Sequence, residues 1–251
     1  MSTFAFYKKI VALNSEVHRN LKIAAEKGNF SFARDANAVL LTGMEFTEAS
    51  REFPIVFVRA EDGQLRPIAL LGVRDGENLF VDEQGKWDAR YIPAFVRRYP
   101  FVMAPGGQNG MVLCVDEECP ALNQEKGEAL FTDEGKPSKG LSDMIEFLQQ
   151  FQQENARTEW LVKQLDELGV FVAREASFDT GNGDTFSLKD FYVVDEAKFG
   201  ALPDDKILQL FRNGGMGLIY LHLASMGNLA KLIERLAARV ALQKAATTPL
   251  H

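Results

Sequence analysis

Short apolar runs of strand length dominate the first 120 residues. The runs at 53–58 and 67–73 are rich in β-branched and aromatic residues, which favours buried strands. A third run at 78–81 follows the dipeptide Asp75-Gly76, and Asp-Gly between apolar runs is a strong hairpin signal. The runs at 101–103 and 111–115 flank the turn-rich segment 105–110, which predicts another hairpin. An antiparallel sheet built from hairpins is therefore expected in this half.

Between these runs, residues 91–98 predict a short helix. Pro93 suits its first turn, and Tyr99 precedes Pro100 and so avoids the α region, which ends the helix. If the helix forms, Arg90 and Arg97 lie near one face, because they are seven residues apart, and Arg98 points elsewhere.

The second half of the chain switches to helical periodicity. A long helix is expected with Ser142 as its N-cap and Gly169 as its C-cap. Strands are predicted at 171–178 and 185–194 around the turn 179–184, and a short helix from Pro203 to about Asn213. The apolar run 216–222 has strand length. The final helix is expected from Ser225, with an apolar stripe at helical spacing: Leu229, Leu232, Ile233, Leu236 and Val240.

These elements predict an α+β fold. Its N-terminal half is mainly an antiparallel sheet with hairpins, followed by a long central helix, a second β-hairpin and an amphipathic C-terminal helix. Residues 117–140 are polar and rich in turn formers, so a surface loop and a possible internal boundary are expected there. We expect one domain over residues 1–251.

Composition narrows the function classes. The net charge of −7 argues against nucleic-acid binding, because phosphate contacts need a basic face. Neither a secretory signal nor the roughly 20 apolar residues of a membrane span is apparent, so a cytoplasmic protein without a transmembrane span is expected. The spacing of Cys114 and Cys119 fits neither a zinc site nor a redox motif, and reduced structural thiols are expected. We predict no metal and no cofactor.

The candidate ligand-binding residues form an arginine-rich aromatic block together with one distant histidine. Arginine binds carboxylates and phosphates through a two-pronged fork, and aromatic faces stack on rings or on guanidinium groups. The alternative is structural: the arginines pair with the many acidic residues, and the aromatic rings pack. The candidates are Trp87, Arg90, Tyr91, Arg97, Arg98, Tyr99 and His222.

His222 and Ser225 have the side chains of a general base and a nucleophile. A lone histidine at the end of an element is more often a hydrogen-bonded structural residue, and Ser225 is better explained as a helix N-cap. No catalytic residue is assigned on this basis.

Several blocks in order resemble the SapC family over nearly the whole chain. The most specific is YIPAFVRRYPF at 91–101. Supporting blocks are KIVALN at 9–14, FPIVFV at 53–58, LLGV at 70–73, NLFV at 78–81, GKW at 85–87 and GLIYLHLAS at 217–225 with Asn228.

The resemblance implies a link to a bacterial surface-layer operon and brings no catalytic or cofactor residues with it. Relatives are encoded near halogenase-like flavoenzymes, cupin-type oxygenases and outer-membrane receptors, which implies a partner role. We therefore expect a non-catalytic accessory protein that binds a peptide, a protein or a small anionic ligand in a surface-layer or secondary-metabolite/peptide pathway; a homo-oligomer is a possible assembly. The alternatives are an enzyme with a site near residues 87–101 and His222, or a structural component of the surface layer.

Overall fold

The computed structural model of the protein describes residues 6–24, 28–106, 110–179 and 185–247. Helices and antiparallel sheets occur together, which confirms the predicted α+β class. The strands in chain order are β1 (Ile10–Ala12), β2 (Lys22–Ile23), β3 (Ala38–Leu40), β4 (Ile55–Arg59), β5 (Leu65–Leu70), β6 (Phe101–Gly106), β7 (Gly110–Asp116), β8 (Leu122–Asn123), β9 (Glu128–Ala129), β10 (Phe171–Asp179) and β11 (Thr185–Val194).

The α-helices in chain order are α1 (Phe46–Glu52), α2 (Ala94–Arg97), α3 (Lys139–Glu167), α4 (Glu196–Gly200), α5 (Asp204–Asn213), α6 (Gly215–Ser225) and α7 (Asn228–Thr247). Two single 3₁₀ turns, Ser31–Ala33 and Gly43–Glu45, precede α1.

The strands form one five-stranded and two three-stranded sheets. The order in the large sheet is β10-β11-β4-β5-β3, and all of its neighbours are antiparallel. The small sheets have the orders β1-β7-β6 and β8-β2-β9. The hairpins β6–β7 and β10–β11 confirm the strands predicted there. Their turn residues 107–109 and 180–184 lie outside the described residues.

The main core lies between the large sheet and the helices, and its members include Phe46, Phe53, Phe57, Leu165 and Ile219. A smaller core lies between the sheet β1-β7-β6 and the first half of α3. The long helix α3 supplies buried residues to both cores, which explains why it has apolar positions near each end and a more polar middle.

The predicted strand at 78–81 is wrong, because the side chain of Asn78 replaces strand pairing. Its carboxamide N–H donates to the Ala33 carbonyl at 2.9 Å, and its oxygen accepts from the Phe80 N–H at 2.9 Å. Such local side-chain bonds compete with a sheet ladder. The segment is a series of turns that ends in an isolated bridge between Val81 and Trp87. The expected Asp75-Gly76 hairpin is therefore absent, although Gly76 does have a positive φ of 71°.

The predicted strand at 216–222 is also wrong, and the segment is the helix α6. An apolar run without clear periodicity fits a buried helix as well as a strand. α6 contacts α1, α5, β4 and β11, so apolar residues are needed on several of its sides. Ser225 is the last residue of α6 and not an N-cap, since α7 begins at Asn228.

Three smaller boundaries also differ from prediction. The N-cap of α3 is Ser138, whose hydroxyl accepts from the Leu141 N–H, so the helix starts one turn before Ser142. Leu168 caps its C-terminus, and Gly169 follows with the positive φ that this position favours. The segment 117–140 contains β8 and β9 in addition to loops. Whether it divides domains stays a prediction.

Candidate functional site

Trp87 lies in the main core, with 6% of its surface exposed. Its ring packs against Phe30, Phe53 and Phe80 at centroid distances of 5.8, 6.3 and 6.3 Å. The indole N–H donates to the Tyr91 carbonyl at 2.9 Å, as a buried indole requires. The polar edge of Trp87 therefore fixes the chain that leads into α2.

Tyr91 is held by the buried carboxylate of Glu45. The Tyr91 hydroxyl and the Ala94 N–H both donate to Glu45 Oε1, at 2.8 and 2.7 Å. Glu45 Oε2 accepts from the backbone N–H and the hydroxyl of Thr42. Burial, and then the neighbouring Glu45, raise the pKa of Tyr91. Four donated hydrogen bonds make Glu45 the anchor between the 3₁₀ turn before α1 and the start of α2.

Arg97 and Arg98 point in opposite directions, although they are adjacent. Arg97 is exposed, lies 5.0 Å from the Phe147 ring centroid and donates to the Ile92 carbonyl at 3.0 Å. Arg98 is 3% exposed and lies over the rings of Phe95 and Phe151, at 4.0 and 5.1 Å. Burial lowers the pKa of Arg98, opposed by Tyr7. Its guanidinium is a core group bound by aromatic faces.

Tyr99 and Arg90 complete the block at separate places. The Tyr99 ring stacks on Phe32 at 4.2 Å, and its hydroxyl donates to Asp116 at 3.2 Å. Burial, and then Cys119, raise its pKa. Arg90 is exposed and precedes α2, which begins only at Ala94, so the expected shared helical face with Arg97 does not form.

The side chains of His222 and Ser225 form their hydrogen bonds with backbone groups of β4, β11 and α6. The Val194 N–H donates to His222 Nε2 at 3.0 Å, so the proton is on Nδ1, which donates to the Ile55 carbonyl at 2.7 Å. The Ile55 N–H donates to the Ser225 hydroxyl, which itself donates to the His222 carbonyl. Burial lowers the pKa of His222 to about 4.

One turn further on, the Asn228 carboxamide N–H donates to the Ser50 and Phe53 carbonyls, at 2.7 and 3.2 Å. The three polar residues His222, Ser225 and Asn228, spaced by three along the chain, fasten the α6–α7 junction to the segment between α1 and β4. We call this group the backbone clasp. Its role is structural, since the imidazole of His222 and the hydroxyl of Ser225 form their hydrogen bonds with backbone groups and not with each other.

A cavity of about 670 Å³ lies under the β10–β11 hairpin, away from the seven predicted residues. Its floor is one face of the large sheet, where the register pairs Val56 with Ile68 and Ala38 with Leu70. Its roof is the outer part of β11. We call it the hairpin cavity. None of the seven predicted site residues lines it, or either of the cavities of about 810 and 440 Å³.

A β-bulge bends β11 over this face. Lys189 and Asp190 together lie opposite the single residue Glu175, and Asp190 has a φ of 58°. Bulges bend a strand and re-aim its side chains. Beyond the bulge, the half-buried Leu188 and Phe186 line the cavity, whereas Ser187 and Lys189 are exposed.

The far end of the bend reaches the loop after β5, where the Arg74 guanidinium lies 5.6 Å from the Phe186 centroid. The alternation of Phe186 and Leu188 in the sequence could have indicated an apolar face. Nothing in the sequence indicated that this face would bend over β4 and β5.

The 810 Å³ cavity is lined mainly by charged and polar residues and lies between the turns at 74–77 and 81–84 and the helix α7. Arg34 and Arg239 line it, and both donate to backbone carbonyls of the segment 78–83. Arg74 lines it too and forms a two-pronged pair with Glu77. These guanidinium groups hold the turns in place.

The part of the chain that the structure describes contains no group of three or more His, Cys, Asp or Glu residues placed to share a metal ion. Cys114 and Cys119 are both buried, and neither forms a disulfide bond. The stretch Gly215–Lys244 has the length and composition of a membrane-crossing helix, a test that core helices also pass. Here it comprises α6 and α7 and carries the backbone clasp.

Comparison with known proteins agrees with the order of the sequence blocks. Neither a curated protein nor a solved structure matches the chain significantly. The family model for SapC matches residues 13–232 of the 251, which spans β2 to β11, all of α1 to α6 and the backbone clasp. The chain therefore belongs to the SapC family.

Proposed function

We propose that the protein is a non-catalytic accessory protein that binds a small molecule with an apolar body and an anionic head in the hairpin cavity. The observation that carries the proposal is the concave space between the bent strand β11 and the sheet, which is lined by apolar side chains of both and by charged groups. Small-molecule sites are concave, mostly apolar and about 300–1,000 Å³ in volume, with a few polar groups that orient the ligand. At about 670 Å³, the hairpin cavity lies within that range.

The apolar body of the ligand would lie against the floor and the roof. Val56, Ile68 and Leu70 are almost completely buried already, so they offer a ligand little further apolar surface. Val58, Phe186 and Leu188 are half-buried, and a ligand would remove their remaining surface from water. Each Å² of apolar surface that is buried contributes about 25 cal/mol.

The charged residues at the rim of the hairpin cavity indicate which charge the head group of the ligand has. The rim carries three cations and two carboxylates: Arg59, Arg74, Lys189, Asp75 and Asp190. Arg59 pairs with Asp166 and Arg74 pairs with Glu77, so both guanidinium groups already have a carboxylate neighbour. Among the described residues Lys189 has no carboxylate partner within 4 Å, which makes it the cation best placed to receive an anionic head.

The backbone clasp supports the non-catalytic part of the proposal. A general base must be able to take a proton at neutral pH, and a nucleophilic serine needs a base within hydrogen-bond reach. His222 Nε2 accepts from Val194, and the Ser225 hydroxyl donates to the His222 carbonyl. The two groups that resemble a catalytic pair by type are thus occupied by backbone partners.

The proposal includes a cytoplasmic location and a role in the surface-layer or peptide pathway to which the family resemblance points. The family and the acidic charge support it. Cell fractionation tests the location. Recovery in the envelope fraction would overturn it and favour a structural component of the surface layer.

The binding experiment uses three probes with the same ten-carbon chain and different heads: decanoate, decanol and decyltrimethylammonium. Isothermal titration should give the tightest binding for decanoate and the weakest for the cation. Lys189→Glu should weaken decanoate binding about twofold to fivefold and leave decanol unchanged, because an exposed ion pair contributes about 1 kcal/mol or less. Lys163→Glu, an exposed lysine on α3, is the matched control.

A second variant fills the space. Val58→Trp should abolish binding of all three probes while the circular dichroism spectrum and the urea midpoint stay close to wild type. Equal affinity for decanoate and decyltrimethylammonium would overturn the anionic head. Wild-type affinity in a folded Val58→Trp protein would overturn the site itself.

A further inference from the structure

The outward face of α5 carries large apolar side chains in water. Leu208 is 47% exposed and Phe211 is 68% exposed, and the two lie one turn apart on one side of the helix. Trp160 of α3 is 51% exposed and lines a groove of about 440 Å³ together with Leu208. A contiguous exposed apolar patch on a soluble domain marks an interaction site more often than chance exposure.

This face is additional to the side of α5 that packs into the core. Leu210 is almost fully buried, and Ile207 is half-buried and packs on the core cluster. α5 is therefore attached to the fold by one side of the helix, and this packing does not account for the exposed apolar side chains of Leu208 and Phe211.

The charges along the same exposed face are arranged with opposite signs at the two ends. Asp204 and Asp205 lie at the N-terminus of α5, Arg212 lies at its C-terminus, and Leu208 lies midway between them. Asp205 and Arg212 are separated by roughly 10 Å of helix rise. The signs suit the dipole of the helix itself. They also make the face complementary to its own copy.

A two-fold axis through Leu208 would place two α5 helices antiparallel. Asp205 of each chain would then lie opposite Arg212 of the other, around a centre formed by Leu208, Phe211 and Trp160. Two-fold dimers use the same patch on both subunits, and aromatic residues at the centre with charges at the rim are typical of such interfaces.

We propose that the face formed by α5 and Trp160 is a homodimer interface of this protein. The proposal is independent of the hairpin cavity, since none of its residues lines that cavity. One short helix and one neighbouring tryptophan form a small interface, so a dimer at the weak end of stable association is expected, with a dissociation constant on the order of micromolar.

The experiment is sedimentation velocity of the full chain across roughly 1 to 200 µM, a range that brackets a micromolar equilibrium. Wild type should shift from monomer to dimer within it. Phe211→Glu should shift the midpoint at least tenfold toward higher concentration. Val17→Glu, at another exposed apolar residue, is the matched control and should behave as wild type.

A charge exchange distinguishes contact between two chains from an effect within one helix. Asp205→Arg and Arg212→Asp should each weaken the dimer, because each places like charges opposite one another. The double variant should recover dimerisation, even though both changes oppose the dipole of α5. Circular dichroism confirms that the helix is retained.

Two results would overturn the proposal. One is a monomer at every concentration. In that case, sedimentation of the protein together with phosphatidylglycerol vesicles would show that the patch binds a membrane surface instead. The other is a dimer that Phe211→Glu leaves unchanged, which places the contact elsewhere on the molecule.

Discussion

His222 gives the sharpest test of the fold, because its ring holds β4 and β11 together. It must remain neutral to accept from Val194, and burial lowers its pKa from 6.5 to about 4. The unfolded chain binds a proton that the folded protein resists, so acid favours unfolding. The stability contributed by neutral His222 is complete above pH 6.5 and is lost progressively as the pH falls toward 4.

The size of the effect follows from the interval between the two pKa values. One pKa unit corresponds to about 1.4 kcal/mol, so the shift from 6.5 to about 4 is equivalent to about 3 kcal/mol of unfolding free energy. About 2 kcal/mol of this is already lost at pH 5.

The assay is urea unfolding at pH 7, 6 and 5 of wild type and His222→Gln. At pH 7 the variant should be less stable by about 1–3 kcal/mol, because at least one backbone group of Ile55 or Val194 loses its partner. Glutamine does not titrate, so the gap between the two proteins should narrow by about 2 kcal/mol at pH 5.

Ser225→Ala is the matched control. It removes another hydrogen bond to Ile55 and keeps His222, so its gap to wild type should be the same at every pH. A His222→Gln gap that does not change between pH 7 and pH 5 would refute the reasoning, since His222 would then titrate alike in the folded and unfolded chain.

Three further predictions concern core groups, each measured by urea unfolding. Arg98→Met should keep the free energy of unfolding within about 1 kcal/mol of wild type or raise it, because methionine fills the site between the rings without a buried charge. The control is Arg97→Met at an exposed position, which should change the free energy of unfolding by no more than about 0.5 kcal/mol. A loss above about 3 kcal/mol for Arg98→Met would contradict this reasoning. Glu45→Gln should cost about 2–4 kcal/mol, since an amide nitrogen cannot accept from donors that now bond to the carboxylate, and a neutral outcome would argue against four donated bonds. Gly72→Ala should cost several kcal/mol of unfolding free energy, because a Cβ there would collide with the Glu77 carbonyl oxygen. Gly217→Ala in α6 is the control: its Cβ meets no atom within 4 Å, so the change should raise stability by up to about 1 kcal/mol. Equal effects of the two changes would contradict this packing.

Elements with their own local signals were predictable from the sequence. The hairpins β6–β7 and β10–β11 have turn residues between alternating or β-branched runs, and α5 begins after a proline and ends at a glycine with positive φ. The apolar stripe of α7 is buried at Leu232, Leu236 and Val240, as its spacing predicted. Family membership was also readable, because it depends on the order of the blocks alone.

The arrangement of the candidate residues was not predictable. Arg97 and Arg98 have the same chemistry and adjacent positions, and only the packing of the one-turn helix α2 against Phe147 and Phe151 puts one in water and the other in the core. The run 216–222 could not be assigned, because burial on several sides removes the periodicity that distinguishes a helix from a strand.

The sequence by itself determined the α+β class, the hairpins β6–β7 and β10–β11, the amphipathic C-terminal helix and the family. These follow from local propensity and from the spacing of apolar residues. The tertiary structure decided that His222 and Ser225 bind backbone, that the arginine-rich block is divided between core and surface, and that a bulge closes β11 over the sheet. The physical reason is that burial and hydrogen-bond partners are set by residues far apart in the chain, such as Ile55 and His222, whose encounter no local pattern encodes.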